Sequence, residues 1–339
     1  MDGSKFIARG VSYFGNRILR HYVERDLPEI LDHHCTYVLH TLSENDLRYY
    51  RDTMKKIIGI THENGLEVYL DPWGVGGVFG GEAFSAFLLE NRLTWQVTEK
   101  GIPVPAVCLN SPEFRIMMRT WIDAAIELEA DVLFWDEPHF YPSVEISPTD
   151  GEWTCACPSC RDLFERRYHK PMPQELNQDV LEFQDDTIVD FLQEICDYFK
   201  RKSKRKGVRN AICLSPLDYP TIRDDRWAKV ARIESLDILG VTPFWVLSHQ
   251  EPRKFVSDIS RKIINLSERY GLEPQVWLQA FQIPSGREKE LVVAADVAVL
   301  SGIQNLGVWG FQACAHMSSL TSERPELVWE LVGDTFRGL

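Results

Sequence analysis

The chain has 339 residues, 44% hydrophobic and 26% charged, and its 50 acidic against 37 basic side chains leave a net charge of −13. That composition is of a globular, enzyme-like chain rather than a disordered or fibrous one, and the acidic balance argues against a nucleic-acid partner, whose phosphates need a basic face. The one dense basic run, KRKSKRKG at 200–207, reads as a solvated helix end capped by Gly207.

The opening residues, MDGSKFIARG, lack an apolar signal core, and no run of about 18 apolar residues occurs, so neither a membrane partner nor a location outside the cytoplasm is expected. Eight cysteines in that setting point to a reducing compartment, where clustered thiols hold metal more often than they form disulfides.

Taken in chain order, apolar β-branched or aromatic runs alternate with helix-period segments. The candidate strands are FIARGVSY (6–13), TYVLHTL (36–42), LEVYLDP (66–72), DVLFWDE (131–137), AICLSPL (211–217), LDILGVTPF (236–244), QVWLQAF (275–281) and LGVWGFQ (306–312). The candidate helices cover 24–33, 46–64, 112–129, 179–204, 223–233, 251–269, 287–301 and 325–336. Ser43, Ser111, Ser285 and Ser322 stand ahead of helices as N-caps, Pro112 and Pro325 suit first turns, and Gly65, Gly271 and Gly302 follow helix ends.

Eight strand–helix alternations predict an α/β fold, a (β/α)8 TIM barrel forming one domain over 1–339. Two connections, 72–111 after the third strand and 138–178 after the fourth, are too long for simple loops and are expected to cover the face where the strands end. The glycines of PWGVGGVFGGEAF (72–84) suggest a mobile or closely approaching loop, without the Gly-Lys-Ser/Thr ending of a phosphate cradle.

The fourth strand carries the strongest site signal. Its apolar run VLFW stops at Asp136 and Glu137, with Pro138 and His139 directly after, so two carboxylates sit at the strand edge where barrel enzymes bind ligands. Further on, TCACPSC places Cys155, Cys157 and Cys160 in one tight loop, and Cys108 closes the first insertion in VCLNSPEF. Such spacing suits a tetrahedral, closed, structural Zn²⁺ site that pins the two insertions together, with no organic cofactor needed. Cys35, Cys196, Cys213 and Cys314 are isolated in apolar segments and read as small core residues.

The sequence CLNSPEFR, then a strand ending in an acidic pair, then CACPSCRDLFERRYHKPMPQEL, resembles the zinc-binding region of family-42 β-galactosidases and related barrel glycoside hydrolases over about residues 105–180. The resemblance implies a carbohydrate substrate, Cys108, Cys155, Cys157 and Cys160 as zinc ligands, and Glu137 as the acid/base. Two departures stand out. The family's Asn-Glu is Asp136-Glu137 here, and WLQAFQ offers Gln279 where the family has a nucleophilic glutamate on the seventh strand.

Glycoside cleavage needs a proton donor and, as a rule, a second carboxylate. The expected donor is Glu137, with Asp71 activating water for inversion and Asp136 and Gln279 binding hydroxyls. Asp218 is the other candidate for the second carboxylate, and a substrate supplying its own nucleophile is the other route. Tyr13, Trp73, Trp245 and Trp309 fall at strand ends, where flat rings can stack on sugars, and His40 and His139 could bind hydroxyls or relay protons. The alternatives are a metal-dependent hydrolase using His40, Asp71, Asp136 and His139, although RGVSY lacks the His-x-His expected there, and a non-catalytic carbohydrate-binding barrel. No oligomeric state can be read from the pattern.

Overall fold

The computed structural model describes residues 7–14, 17–141, 152–216 and 224–339. Eight parallel strands close into a barrel: β1 (Ala8–Tyr13), β2 (Tyr37–Thr41), β3 (Glu67–Asp71), β6 (Val132–Asp136), β7 (Arg209–Leu214), β8 (Ile238–Val241), β9 (Glu273–Gln279) and β10 (Asn305–Trp309). The remaining two, β4 (Trp95–Val97) and β5 (Pro103–Val107), pair antiparallel inside the first insertion. Around the barrel the order is β1-β10-β9-β8-β7-β6-β3-β2, and the major helices lie between successive strands. This is the expected (β/α)8 TIM barrel.

The strands are apolar on both faces because both are covered. One set of side chains, including Tyr37, Tyr69, Phe134, Trp277 and Trp309, fills the barrel interior. The other, including Trp121, Trp135 and Trp245, lies between the strands and the helices. Neither face meets water, so the alternation that separates in from out in a half-exposed sheet is absent.

Two expected caps are placed otherwise. Ser111 does cap its helix, accepting from Phe114 N at 3.2 Å. Ser285 and Ser322 do not, since Ser285 N donates to Glu323 and the Ser322 hydroxyl accepts from Ile283 N at 3.1 Å. The helices behind them start later, at Glu290 and Pro325. Gly271 and Gly302 do close their helices in left-handed conformation, with φ of 71° and 111°.

At the barrel's other end, Arg209 on β7 bonds Glu67 on β3 at 2.6 Å and Glu273 on β9 at 2.7 Å. Asn305 on β10 joins by donating to Glu273 at 2.6 Å. No helix among the described residues is long and apolar enough to cross a membrane.

Candidate active site and cysteine cluster

At the end of β6 the backbone departs from strand geometry. Glu137 has φ of +40°, a left-handed conformation that costs a non-glycine residue on the order of 1–2 kcal/mol. Strand alternation would send this side chain outward among the helices. Instead its N–H donates to Cys213 O of β7 at 3.1 Å, and its Oε1 accepts from the hydroxyl of Thr242, just past β8. The residue thus crosses the top of β7 and lies half-buried over the barrel mouth. Backbone strain of this kind is typical of functional residues whose direction the fold enforces.

Asp136 keeps the strand's alternation and faces inward with Phe134, beside Cys213 of β7. Asp71, at the end of β3, shares the inward face of Tyr69. Burial pushes the Cys213 thiol up, and the nearby carboxyl groups of Asp136, Glu137 and Asp71 add to that. Asp136, Glu137 and Asp71 therefore lie near one thiol inside the barrel.

Their environments differ sharply. Asp71 is fully buried and neither carboxyl oxygen has a hydrogen-bond partner. Burial holds its carboxyl well above the usual aspartate range. This corrects its expected role, because a general base must be ionised and must reach a water. Gln279 is also fully buried, and its amide is consumed by backbone: Oε1 accepts from Val246 N at 3.0 Å, and Nε2 donates to Phe281 O at 3.0 Å. It holds loops together where a hydroxyl-binding role was expected. Asp218 lies outside the described residues.

Above the acids runs the glycine loop. Gly80 passes so close to Asp136 that an added Cβ would lie 2.2 Å from Oδ2. Gly81, at φ of +113°, is pressed against the Trp73 ring, 2.3 Å from where its Cβ would be. The loop therefore covers one wall of the mouth at a separation that only glycine permits. That wall is aromatic: Phe14 stacks on Trp73 with centroids 5.2 Å apart, and Trp73 on Trp309 at 5.7 Å. His316 packs on Phe14 at 5.4 Å.

Trp73 and Trp309 line the mouth, and three other candidates lie away from it. The Tyr13 hydroxyl donates to Asp26 at 2.7 Å within the layer behind the strands, where burial raises its pKa. His40 is wedged between the Tyr13 and Tyr22 rings and bonds Thr61 at 3.2 Å; burial pushes it down to about 3, so it is neutral and unreachable by substrate. Trp245 is fully buried and donates to Glu290 at 2.9 Å. In each case the sequence neighbour has the inward position: Phe14, Thr41 and Phe244. A one-residue slip changes faces, and only the small inward residues Gly10 and Ser12 of β1 hinted at it. Thr242 was missed altogether, its one signal being a hydroxyl just beyond a strand and before a proline. His139 lies just past Glu137, its Nδ1 2.7 Å from that residue's carbonyl oxygen, and burial lowers its pKa.

The second constellation is separate. Cys108, Cys155, Cys157 and Cys160 are all buried, and their sulfurs lie within 4.8 Å of one another. Cys108 Sγ is 3.5 Å from Cys160 Sγ and 3.7 Å from Cys157 Sγ. Four thiolates bound at about 2.3 Å around a tetrahedral ion would stand about 3.8 Å apart, so the cluster has the size of such a cage. The two insertions build it jointly. Ala156 N donates to Val97 O at 2.7 Å, Thr98 bridges Thr154, and Gln96 accepts from Tyr141 N at 3.0 Å. Trp153, Phe164, Met172, Val180 and Phe183 wrap the sulfurs in a small core of their own. Cys35, Cys196, Cys213 and Cys314 are buried singly, as expected.

An acidic, aromatic-walled mouth at the strand ends of a closed parallel barrel defines the class: a (β/α)8 barrel whose strand-end face carries the candidate site. The chain matches no protein-family model and no curated protein by sequence. By structure it is similar to a β-galactosidase from Bacillus circulans sp. alkalophilus, with a TM-score of 0.71, 13% identity, and 99% of this chain superposed on 56% of that one. An endo-1,4-β-mannanase from Rhizomucor miehei gives a TM-score of 0.63 at 9% identity, covering 100% of this chain and 97% of that one. A β-glucosidase from Thermotoga maritima gives 0.55 at 9%, with 98% of each chain covered. The chain spans 56% of the length of that β-galactosidase. At these identities what is shared is the fold, the (β/α)8 TIM barrel.

Proposed function

We propose that this chain is a glycoside hydrolase acting on a carbohydrate, with Glu137 as the proton donor. The observation that carries the reading is the left-handed backbone at Glu137, which turns an outward-facing position over the mouth and anchors it on Thr242. A group so placed can reach a glycosidic oxygen bound between the aromatic wall and the acids. Asp136 is its partner carboxylate, covered on one side by Gly80. Trp73 and Trp309 would stack on the sugar ring, and His139 keeps the turn after Glu137 in shape.

The rest of the reading follows from the same arrangement. The chain acts as one barrel domain, with 72–111 and 138–178 as insertions over the active face. Cys108, Cys155, Cys157 and Cys160 hold one structural Zn²⁺, which takes no part in the reaction because all four ligand positions are filled by protein. The metal-dependent alternative loses its main ligand in His40, which faces away from the mouth, and the four cysteines are the single metal-type cluster among the described residues. The test is a panel of aryl glycosides assayed with wild type and Glu137→Gln. Removing a general acid should lower kcat by about 10²–10⁴-fold on substrates with poor leaving groups. Unchanged turnover with the fold intact would take Glu137 out of the chemistry, and sugar binding without turnover in wild type would favour the binding barrel.

A further inference from the structure

The end of the barrel opposite the mouth opens into a second cavity, of about 670 Å³, a volume within the range of small-molecule sites. The amino-terminal ends of three strands put charge into it: Glu67 from β3, Arg209 from β7 and Glu273 from β9. These are its charged lining groups among the described residues, two negative against one positive. Ala8, Leu31 and Leu66 add an apolar surface beside them.

The hydrogen bonds of the two carboxylates leave room for a ligand. A carboxylate can accept about four. Glu67 receives two, both from Arg209 Nη2, at 2.6 and 2.8 Å. Glu273 receives one from Arg209 Nη1 at 2.7 Å and one from Asn305 Nδ2 at 2.6 Å. Roughly two acceptor positions per carboxylate are therefore open, on side chains that are 35% and 38% exposed. Negative charge is left over as well. Burial, and after it the neighbouring charges of Asp131 and Glu273, hold the Glu67 carboxyl above its usual range in spite of Arg209.

From this we infer that the cavity binds a small organic cation, with a primary ammonium head on Glu67 and Glu273 and an apolar body along Leu31 and Leu66. An ammonium brings one positive charge and three N–H donors, which meet the surplus negative charge and the open acceptor positions together. A ligand so placed joins β3 to β9 beside Arg209, and because the unfolded chain has no such site its binding stabilises the closed barrel. The site is separate from the mouth and independent of the reaction proposed there. Other ligand chemistries meet only part of the demand. A neutral polyol offers donors but leaves the charge, and a quaternary ammonium offers charge without donors. A divalent metal ion needs more ligands than two carboxylates already tied to Arg209, and the cysteine cluster is the single group of three or more metal-type residues among the described residues.

The experiment titrates the whole chain with butylammonium chloride by calorimetry and follows the melting temperature, with butyltrimethylammonium, 1-butanol and Ca²⁺ compared at equal ionic strength. Glu273→Gln removes one charge from the cavity. Asn64→Lys sets a competing cation at its rim, and since Asn64 is exposed, with its amide donating to Ile60 O at 2.9 Å, the fold should tolerate the change. Asp334→Asn, at an exposed acid of the last helix, is the control. The expected result is one saturable butylammonium site per chain and a melting temperature that rises with its concentration. Binding should weaken about tenfold or more in Glu273→Gln and in Asn64→Lys and stay unchanged in Asp334→Asn. Melting each variant without ligand separates a lost site from a lost fold, and Asn64→Lys carries the test if Glu273→Gln does not fold. Absence of saturable binding, equal binding of butyltrimethylammonium, 1-butanol or Ca²⁺, or an affinity that survives both cavity variants overturns the inference.

Discussion

Asp71 shows how one side chain's surroundings set its chemistry. Its carboxyl is buried without a partner, so folding favours the protonated form and the folded-state pKa lies above the ordinary aspartate value of 3.8. A group raised in this way contributes its stability in full below the unfolded pKa and loses it as pH rises through the folded one. Between the two values each pH unit costs up to about 1.4 kcal/mol. Asp71→Asn, which keeps the shape without the titration, should therefore gain on wild type as pH rises from 5 to 8, read by urea unfolding at each pH. A gap that stays flat or closes toward pH 8 would show that Asp71 is ionised in the folded protein. The same comparison explains why Asp71 and Glu137 part company: both end strands, but only Glu137 has a backbone turn that brings it to the surface of the mouth.

Among the elements, the two insertions depend most on each other. The hairpin β4–β5 has just three and five residues in its strands, and the helix Pro158–Tyr168 is amphipathic over one short core. Neither buries enough apolar surface to order itself, so the cysteine cluster is the natural clasp. Removing the metal with a strong chelator, or replacing Cys157 with alanine, should raise hydrogen exchange across 95–107 and 152–183 and lower the melting temperature. Strands of the barrel itself should keep their protection. Protein purified without chelator and found to carry no zinc would reject the metal, while exchange rising equally in the barrel would show that the clasp serves the whole fold. The hairpin and this helix were invisible in the sequence because their strands are too short for a period to register, whereas the cysteine spacing was plain.

At the scale of the molecule, closure of the barrel is secured at the end opposite the site. Arg209 joins β3, β7 and β9 through Glu67 and Glu273, although burial outweighs its pull and leaves the Glu67 pKa raised. These side chains are between a quarter and two-fifths exposed, so screening reduces what each pair contributes. Arg209→Met leaves two carboxylates facing each other, and the expected loss is about 1–3 kcal/mol, smaller than for a fully buried network. Denaturant melts should show it, and the loss should shrink at pH 4, where the carboxylates gain protons. Kinetics at the mouth should be unchanged, since the network lies at the opposite end of the strands. A drop in kcat as large as that of Glu137→Gln would mean that the two ends of the barrel are coupled.

By itself the sequence determined the number, order and type of the barrel's elements, because eight short apolar runs separated by helix-period segments admit few other packings. It also determined the four-cysteine cluster and the acidic pair, since both depend on residues adjacent or nearly so in the chain. It could not say which of two neighbours faces the barrel axis. Parallel strands are apolar on both faces, so Tyr13 and Phe14, or His40 and Thr41, look equivalent until the register between strands is fixed. Nor could it show that Asp71 is sealed and the Gln279 amide spent, because the first depends on how the closed barrel packs and the second on Val246 and Phe281, which folding brings to that amide. Tertiary structure alone decided these, since hydration and hydrogen-bond partners belong to the packed chain and not to its local segments.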